Sequence, residues 1–116
     1  MDHRQVSLRS PERQLILQVQ TTLERAMRQF WAERGFVEIH SPKLLSTASG
    51  SGAELFSLPY FGRTAYLAQS PQFYKQLAIA GGFEGVFEIG PVFRANPSHT
   101  SRHDTEFTSV DTEFAW

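Results

Sequence analysis

The run Thr105-Glu106-Phe107-Thr108-Ser109-Val110-Asp111-Thr112-Glu113-Phe114 alternates in a way that only an extended strand can use. Successive side chains of a strand point to opposite faces. Phe107, Ser109, Asp111 and Glu113 therefore share one face, and Thr108, Val110, Thr112 and Phe114 the other. The first face sets two carboxylates beside an aromatic ring, which is an odd surface to bury and a natural one to line a pocket. Upstream, "GVFEIGPVFRA" carries Val86, Phe87, Ile89, Val92 and Phe93 and reads as a partner strand. The segment "FRANPSHTSRHD" joins the two, so the pair is expected to form a long antiparallel hairpin with a charged tip. That tip holds Arg94, Arg102, His99 and His103 in a chain whose net charge is only −1. Such a concentration of cationic groups suits an anion.

The rest of the chain narrows the class. Its 116 residues suffice for one domain with one core, and a hydrophobic content of 41% fits a folded globular state. Near-neutral charge argues against a broad basic surface for nucleic acid. The absence of cysteine excludes a disulfide frame, a thiolate metal site and a cysteine nucleophile. The start "MDHRQVSLRS" is polar and no apolar stretch has bilayer length, so a soluble, cytoplasmic protein without a membrane partner is expected.

Two helices are expected. In the first, Ser10 is the cap, Pro11 occupies the first position and Gly35 ends the run. Ile16, Val19, Leu23, Met27, Phe30 and Trp31 recur at three- and four-residue steps, a stripe for the core or for a second subunit. The second is "QSPQFYKQLAIAGG", with Ser70 as cap, Pro71 first and Gly81-Gly82 as the stop. Phe73, Leu77 and Ala80 should make its buried side, with Gln72, Lys75 and Gln76 on another face. Phe36 to Ile39 reads as a short strand, with Pro42 at a strand edge or end. Ser46 to Ala53 reads as a loop. Leu55 to Leu58 and Arg63 to Ala68 read as a hairpin turned near Gly62. The fold class is α+β: an antiparallel sheet flanked by helices.

Neither GxxxxGK[ST] nor GxGxxG occurs, so a bound nucleotide would be recognised by side chains. Arg94, placed where strand meets loop, can fork onto a phosphate with two parallel hydrogen bonds. Arg102 and His103 can reach outer phosphates, and Phe107 can stack on a purine. Lys75 lies among Gln69, Ser70, Gln72 and Gln76, a cluster of one cation and neutral amides that suits a carboxylate. Glu54 and Asp111 suit an ammonium group. Together these groups describe an acidic amino acid and ATP. His99 and His103 stand four apart but in the loop segment and not on a helix, and no cysteine joins them or His40, so no metal site is expected. No G-x-S-x-G elbow is present, which leaves little case for a hydrolase.

The segments "MDHRQVSLRSPE", "FWAERGFVEIHSPKL", "GAELF", "AYLAQSPQFYKQ", "FEIGPVFRA" and "TSRHDTEFTSVDTEF" resemble, in order, the catalytic domain of class II aspartyl-tRNA synthetases of the archaeal and eukaryotic type. The resemblance spans nearly the whole chain and implies that residues 1–116 are the N-terminal portion of that domain. Motif 1, the dimer-forming element, would cover about 11–45. Motif 2, the ATP-binding hairpin, would cover about 86–116, and motif 3 would be absent.

The resemblance implies ATP-dependent activation of L-aspartate to aspartyl-adenylate and transfer to tRNA, incomplete in this chain. Arg94 would be catalytic, binding the α-phosphate and the reacting carboxylate. Glu54, Gln72, Lys75, Arg94 and Asp111 would bind aspartate. Arg94, Asn96, Arg102, His103, Asp104 and Phe107 would bind ATP. Mg2+ would accompany ATP, with its ligands in the motif 3 region. A homodimer through motif 1 is implied. Lys75 favours aspartate over asparagine, since a buried charge left unpaired is costly. The family's Arg-x-Glu of motif 2 reads Arg94-Ala95-Asn96 here, which keeps hydrogen bonding and loses a charge. Two other readings fit the same residues: a synthetase paralogue activating aspartate for a non-tRNA acceptor, and a non-catalytic dimerising or binding fragment.

Overall fold

A computed structural model describes residues 3–48, 55–95 and 105–116. The chain divides into two compact units, Met1–Gly35 and Phe36–Trp116.

The first unit holds a short helix α1 (Arg4–Ser7) and the long helix α2 (Pro11–Glu33). Ser10 occupies the N-cap position in extended conformation, but its hydroxyl makes no capping hydrogen bond. Pro11 sets the first turn, where a missing N–H costs nothing. At the other end Gly35 adopts φ +76, a left-handed conformation that glycine enters without strain. Arg34 reinforces this end: Nη1 donates to the Phe30 carbonyl at 2.8 Å while the guanidinium lies 3.4 Å over the Phe30 ring. Along the surface, Gln20 donates to Glu24 and Gln29 to Glu33, each four residues on. The apolar stripe is present, but no residue of α2 is buried, so the reading of a core-facing helix does not hold within this chain.

The second unit contains two three-stranded sheets. One has the order β1 (Val37–Glu38), β5 (Gly85–Phe93), β6 (Glu106–Phe114); the other has β2 (Leu44–Leu45), β4 (Arg63–Leu67), β3 (Ser57–Tyr60). All pairings are antiparallel except β1 with β5, which is parallel. Strand β3 starts at Ser57, two residues later than Leu55, because its register is set by the turn: Tyr60 pairs with Arg63 across Phe61 and Gly62, both at positive φ. The Ala68 N–H donates to the Lys43 carbonyl at 2.9 Å and extends the β2–β4 pairing, while the Phe93 N–H donates to the Ala68 carbonyl at 2.9 Å and ties the two sheets together.

The core is small: Ala65, Ala68, Val86, Phe87, Ile89 and Val92. Gly85 belongs to its edge, since a Cβ there would come within 2.6 Å of the Phe36 ring, which also packs on Phe114 at 6.2 Å between centroids.

Helix α3 (Gln72–Ala80) packs over β5 and β6 and corrects two expectations. Its N-cap position is filled by Pro71, not Ser70; Pro71 is fully buried and its carbonyl accepts the Lys75 N–H at 3.0 Å. The helix then ends as expected, with Gly81 at the cap and Gly82 at φ +104. Its buried side is not Phe73, Leu77 and Ala80. Phe73 and Leu77 are 62% and 54% exposed, and Lys75 is the buried residue of the helix. The physical reason lies across the interface: the face of β6 beneath α3 offers carboxylates, which reward an ammonium and not a phenyl ring.

Candidate active site

Strands β5 and β6 pair without a bulge from Gly85 opposite Phe114 to Phe93 opposite Glu106. Residues directly opposite in an antiparallel pair share a face. The inner face therefore combines Val86, Glu88, Gly90 and Val92 with Glu113, Asp111, Ser109 and Phe107. Burial follows this division: Phe107, Ser109, Asp111 and Glu113 are half-buried while Thr108, Val110, Thr112 and Phe114 are exposed.

Lys75 reaches down from α3 onto this face. Its Nζ donates to Asp111 Oδ1 at 3.1 Å and stands 3.8 Å from Glu113 Oε2. The Lys75 residue is only 5% exposed while its carboxylate partners are half-buried, so the ammonium is withdrawn from water and the attraction is stronger than at an open surface. Ser109 steadies the acid by donating its hydroxyl to Asp111 Oδ2. At the far end of the same row, Arg94 follows β5, its N–H bonded to the Thr105 carbonyl at 2.8 Å. Its guanidinium carbon lies 5.3 Å from the centroid of the Phe107 ring. Phe107 and Asp111 are four residues apart on one strand, about 13 Å at the rise of a strand. Two cations, Lys75 and Arg94, thus bracket one row of side chains, each leaning on a member of it.

Gln72 stands one turn before Lys75 but is exposed; it lines a cavity of about 380 Å³ with Leu45, Ser70, Tyr74 and Gln76. Glu54, Asn96, Arg102, His103 and Asp104 lie outside the described residues. Among the described residues no group of three or more His, Asp or Glu is placed to hold a metal ion. None of their helices is long and apolar enough to cross a membrane.

A second charged cluster on this face was not picked out by the sequence reading. Glu88, 2% exposed, accepts the Ser41 N–H at 2.9 Å on Oε2 and the Ser41 hydroxyl at 2.9 Å on Oε1, and it pairs with Lys43. Lys43 Nζ also donates to Ser41 Oγ at 3.1 Å. The available signal was a charge set inside the apolar run "VFEIG", with a lysine just beyond Pro42.

The family model for class II tRNA synthetases (D, K and N) matches residues 1–116. This chain belongs to the class II tRNA synthetases of the D, K and N group. An aspartate–tRNA(Asp/Asn) ligase from Archaeoglobus fulgidus is 47% identical over 116 residues, all of this chain and 27% of that protein. A cytoplasmic aspartate–tRNA ligase from Dictyostelium discoideum is 52% identical, again over all of this chain and over 20% of that protein. In three dimensions the chain is similar to the asparaginyl-tRNA synthetase of Pyrococcus horikoshii, solved with asparaginyl-adenylate. The TM-score is 0.91 and the identity 42%, covering 99% of this chain and 26% of that one. The chain therefore spans between a fifth and about a quarter of the length of these class II synthetases.

Proposed function

We propose that this chain is the N-terminal part of the catalytic domain of an enzyme that activates L-aspartate with ATP and passes it to tRNA. Motif 1 would cover about 11–45 and motif 2 about 86–116. The observation that carries the reading is the buried Lys75–Asp111 pair, 3.1 Å apart, set on the same strand face as Phe107 and Arg94.

That pair is complementary to a zwitterion with an extra acid. Aspartate would enter by splitting it: the side-chain carboxylate takes Lys75, and the ammonium group takes Asp111 together with Glu54. Gln72 adds an amide. Each buried charge then exchanges one partner for another, so none is left bare. Arg94 would hold the α-carboxylate against the α-phosphate, with adenine stacked on Phe107. Asn96, Arg102, His103 and Asp104 would bind the remainder of the nucleotide.

The chemistry needs no nucleophile from the protein. An oxygen of the α-carboxylate attacks the α-phosphorus, the bond to the β-phosphate bridging oxygen breaks, and pyrophosphate leaves. A ribose hydroxyl at the tRNA end then attacks the acyl carbon, releasing AMP and a proton. Positioning and charge neutralisation supply the rate. Magnesium would accompany the nucleotide, with its ligands in the motif 3 region. Helix α2, with Leu15, Ile16, Val19 and Leu23 exposed, would pack against a second copy of the enzyme, in the cytoplasm.

Lys75 supports aspartate over asparagine, because a neutral substrate amide taking the place of Asp111 would leave the buried ammonium, among the described residues, with only the more distant Glu113, 3.8 Å away, as counter-charge. The test is ATP–pyrophosphate exchange by the protein at full length with each amino acid, followed by charging of total tRNA. Exchange is expected with aspartate and not with asparagine. Exchange supported equally by asparagine would overturn the amino-acid assignment. Adenylate formed without any charged tRNA would overturn the tRNA step and support a different acceptor.

A further inference from the structure

Glu88 is a buried carboxylate for which the reaction above has no use. It stands directly opposite Asp111 in the β5–β6 register. Opposite residues carry their Cβ atoms about 5 Å apart on a common face. Two carboxylates are therefore neighbours, and like charges so placed repel. The structure relieves this by giving each its own ammonium: Lys43 to Glu88 and Lys75 to Asp111. Lys43 Nζ passes close to Gly90, where a Cβ would lie 3.7 Å from it, and Gly90 pairs with Ser109, the residue that holds Asp111. The two ion pairs thus occupy adjacent steps of one row.

We propose that Lys43 is a positioning residue for aspartate recognition: by satisfying Glu88, it leaves Lys75 directed at Asp111 and Glu113, where the substrate carboxylate must find it. The inference rests on the aspartate-binding reading above. Remove Lys43 and Glu88 becomes a buried, uncompensated charge. Among the described residues, Lys75 is then the ammonium remaining on that face. It turns toward Glu88 and away from the substrate position. Ser41 cannot prevent this, because it brings hydrogen bonds and no charge.

The test compares Lys43→Met, Lys43→Arg and the double variant Lys43→Met/Glu88→Gln in the protein at full length, by ATP–pyrophosphate exchange. Lys43→Met is expected to raise KM for aspartate about tenfold or more while KM for ATP stays at the wild-type value. Lys43→Arg keeps the charge and is expected to restore aspartate KM. The double variant removes the competing carboxylate and is expected to recover most of the loss. A rise in both KM values together, or a double variant as impaired as Lys43→Met, would overturn the proposal and leave a structural role only. Should Lys43→Met fail to fold, the double variant decides alone: a wild-type aspartate KM supports the proposal and a raised one overturns it. Wild-type protein without aspartate-dependent exchange would instead defeat the function reading. The positioning claim is then judged from a crystal structure of the single variant or, if that does not fold, of the double variant. In Lys43→Met, Lys75 hydrogen-bonded to Glu88 upholds it and Lys75 unmoved on Asp111 overturns it. In the double variant, Lys75 kept on Asp111 upholds it and Lys75 displaced overturns it.

Discussion

Helix α2 leaves Leu15, Ile16, Val19 and Leu23 more than half open to solvent, while the face shared by β5 and β6 encloses Glu88 and Lys75 and half encloses Asp111 and Glu113. In most domains the apolar residues would be inside and the charges out. The difference separates two kinds of incompleteness. An apolar face without cover gains free energy from any well-fitted apolar partner. A buried ion pair gains little by itself and often costs more than a hydrophobic replacement would. Under the proposed function, its placement is explained by what it does to a third charged group. The helix is thus suited to assembly and the hairpin to recognition.

The largest expected effect tests the hairpin side of this contrast. Lys75→Met leaves Asp111 and Glu113 without their ammonium and should lower kcat/KM for aspartate about a thousandfold, read by pyrophosphate exchange. The same variant should lose stability by roughly 3 kcal/mol in urea melts. If stability fell and aspartate kinetics did not, the buried pair would be structural and the contrast would collapse. Next in size, Gly85→Ala pushes a methyl group into the Phe36 ring and should cost about 1–3 kcal/mol by the same melts.

On the helix side, Leu15→Lys with Val19→Lys should change the stability of the isolated chain by no more than about 0.5 kcal/mol, because neither residue is buried. It should abolish self-association of the protein at full length in sedimentation equilibrium. A variant that still dimerises would remove the assembly role from α2. The smallest effect concerns its first turn. Since the Ser10 hydroxyl makes no capping bond, Ser10→Ala should cost only a few tenths of a kcal/mol against the ~1 kcal/mol usual for a cap, measured by thermal melting of the chain.

These regions also differ in how far sequence predicts them. The hairpin row is legible because strand alternation fixes which residues share a face, so Phe107, Ser109, Asp111 and Glu113 group together before any packing is known. The limits of α2 are legible because Pro11 and Gly35 act locally. The orientation of α3 is not. Phe73 and Leu77 read as its buried side by hydropathy, and the carboxylates that draw Lys75 inward lie 36 residues away or more. The same holds for Glu88 and Ser41, separated by 47 residues. The parallel β1–β5 pairing, between Val37 and Val86, is likewise non-local. Charge pairing across the fold outweighs local amphipathicity where the buried partner finds its counter-charge or hydrogen bonds in a distant segment.

The unbroken pairing of β5 with β6 has a consequence for how such a site can change. Because side chains alternate, inserting one residue into β6 between Phe107 and Ser109 would keep Asp111 facing Lys75 only by turning Phe107 outward, and an insertion between Asp111 and Glu113 would leave Phe107 and Asp111 in place and turn Glu113 outward. The hairpin's two arms can therefore vary in length only by even steps. Every odd step would exchange a threonine or valine for an acid or an aromatic ring, and half of the recognition surface would come to face the wrong side of the sheet.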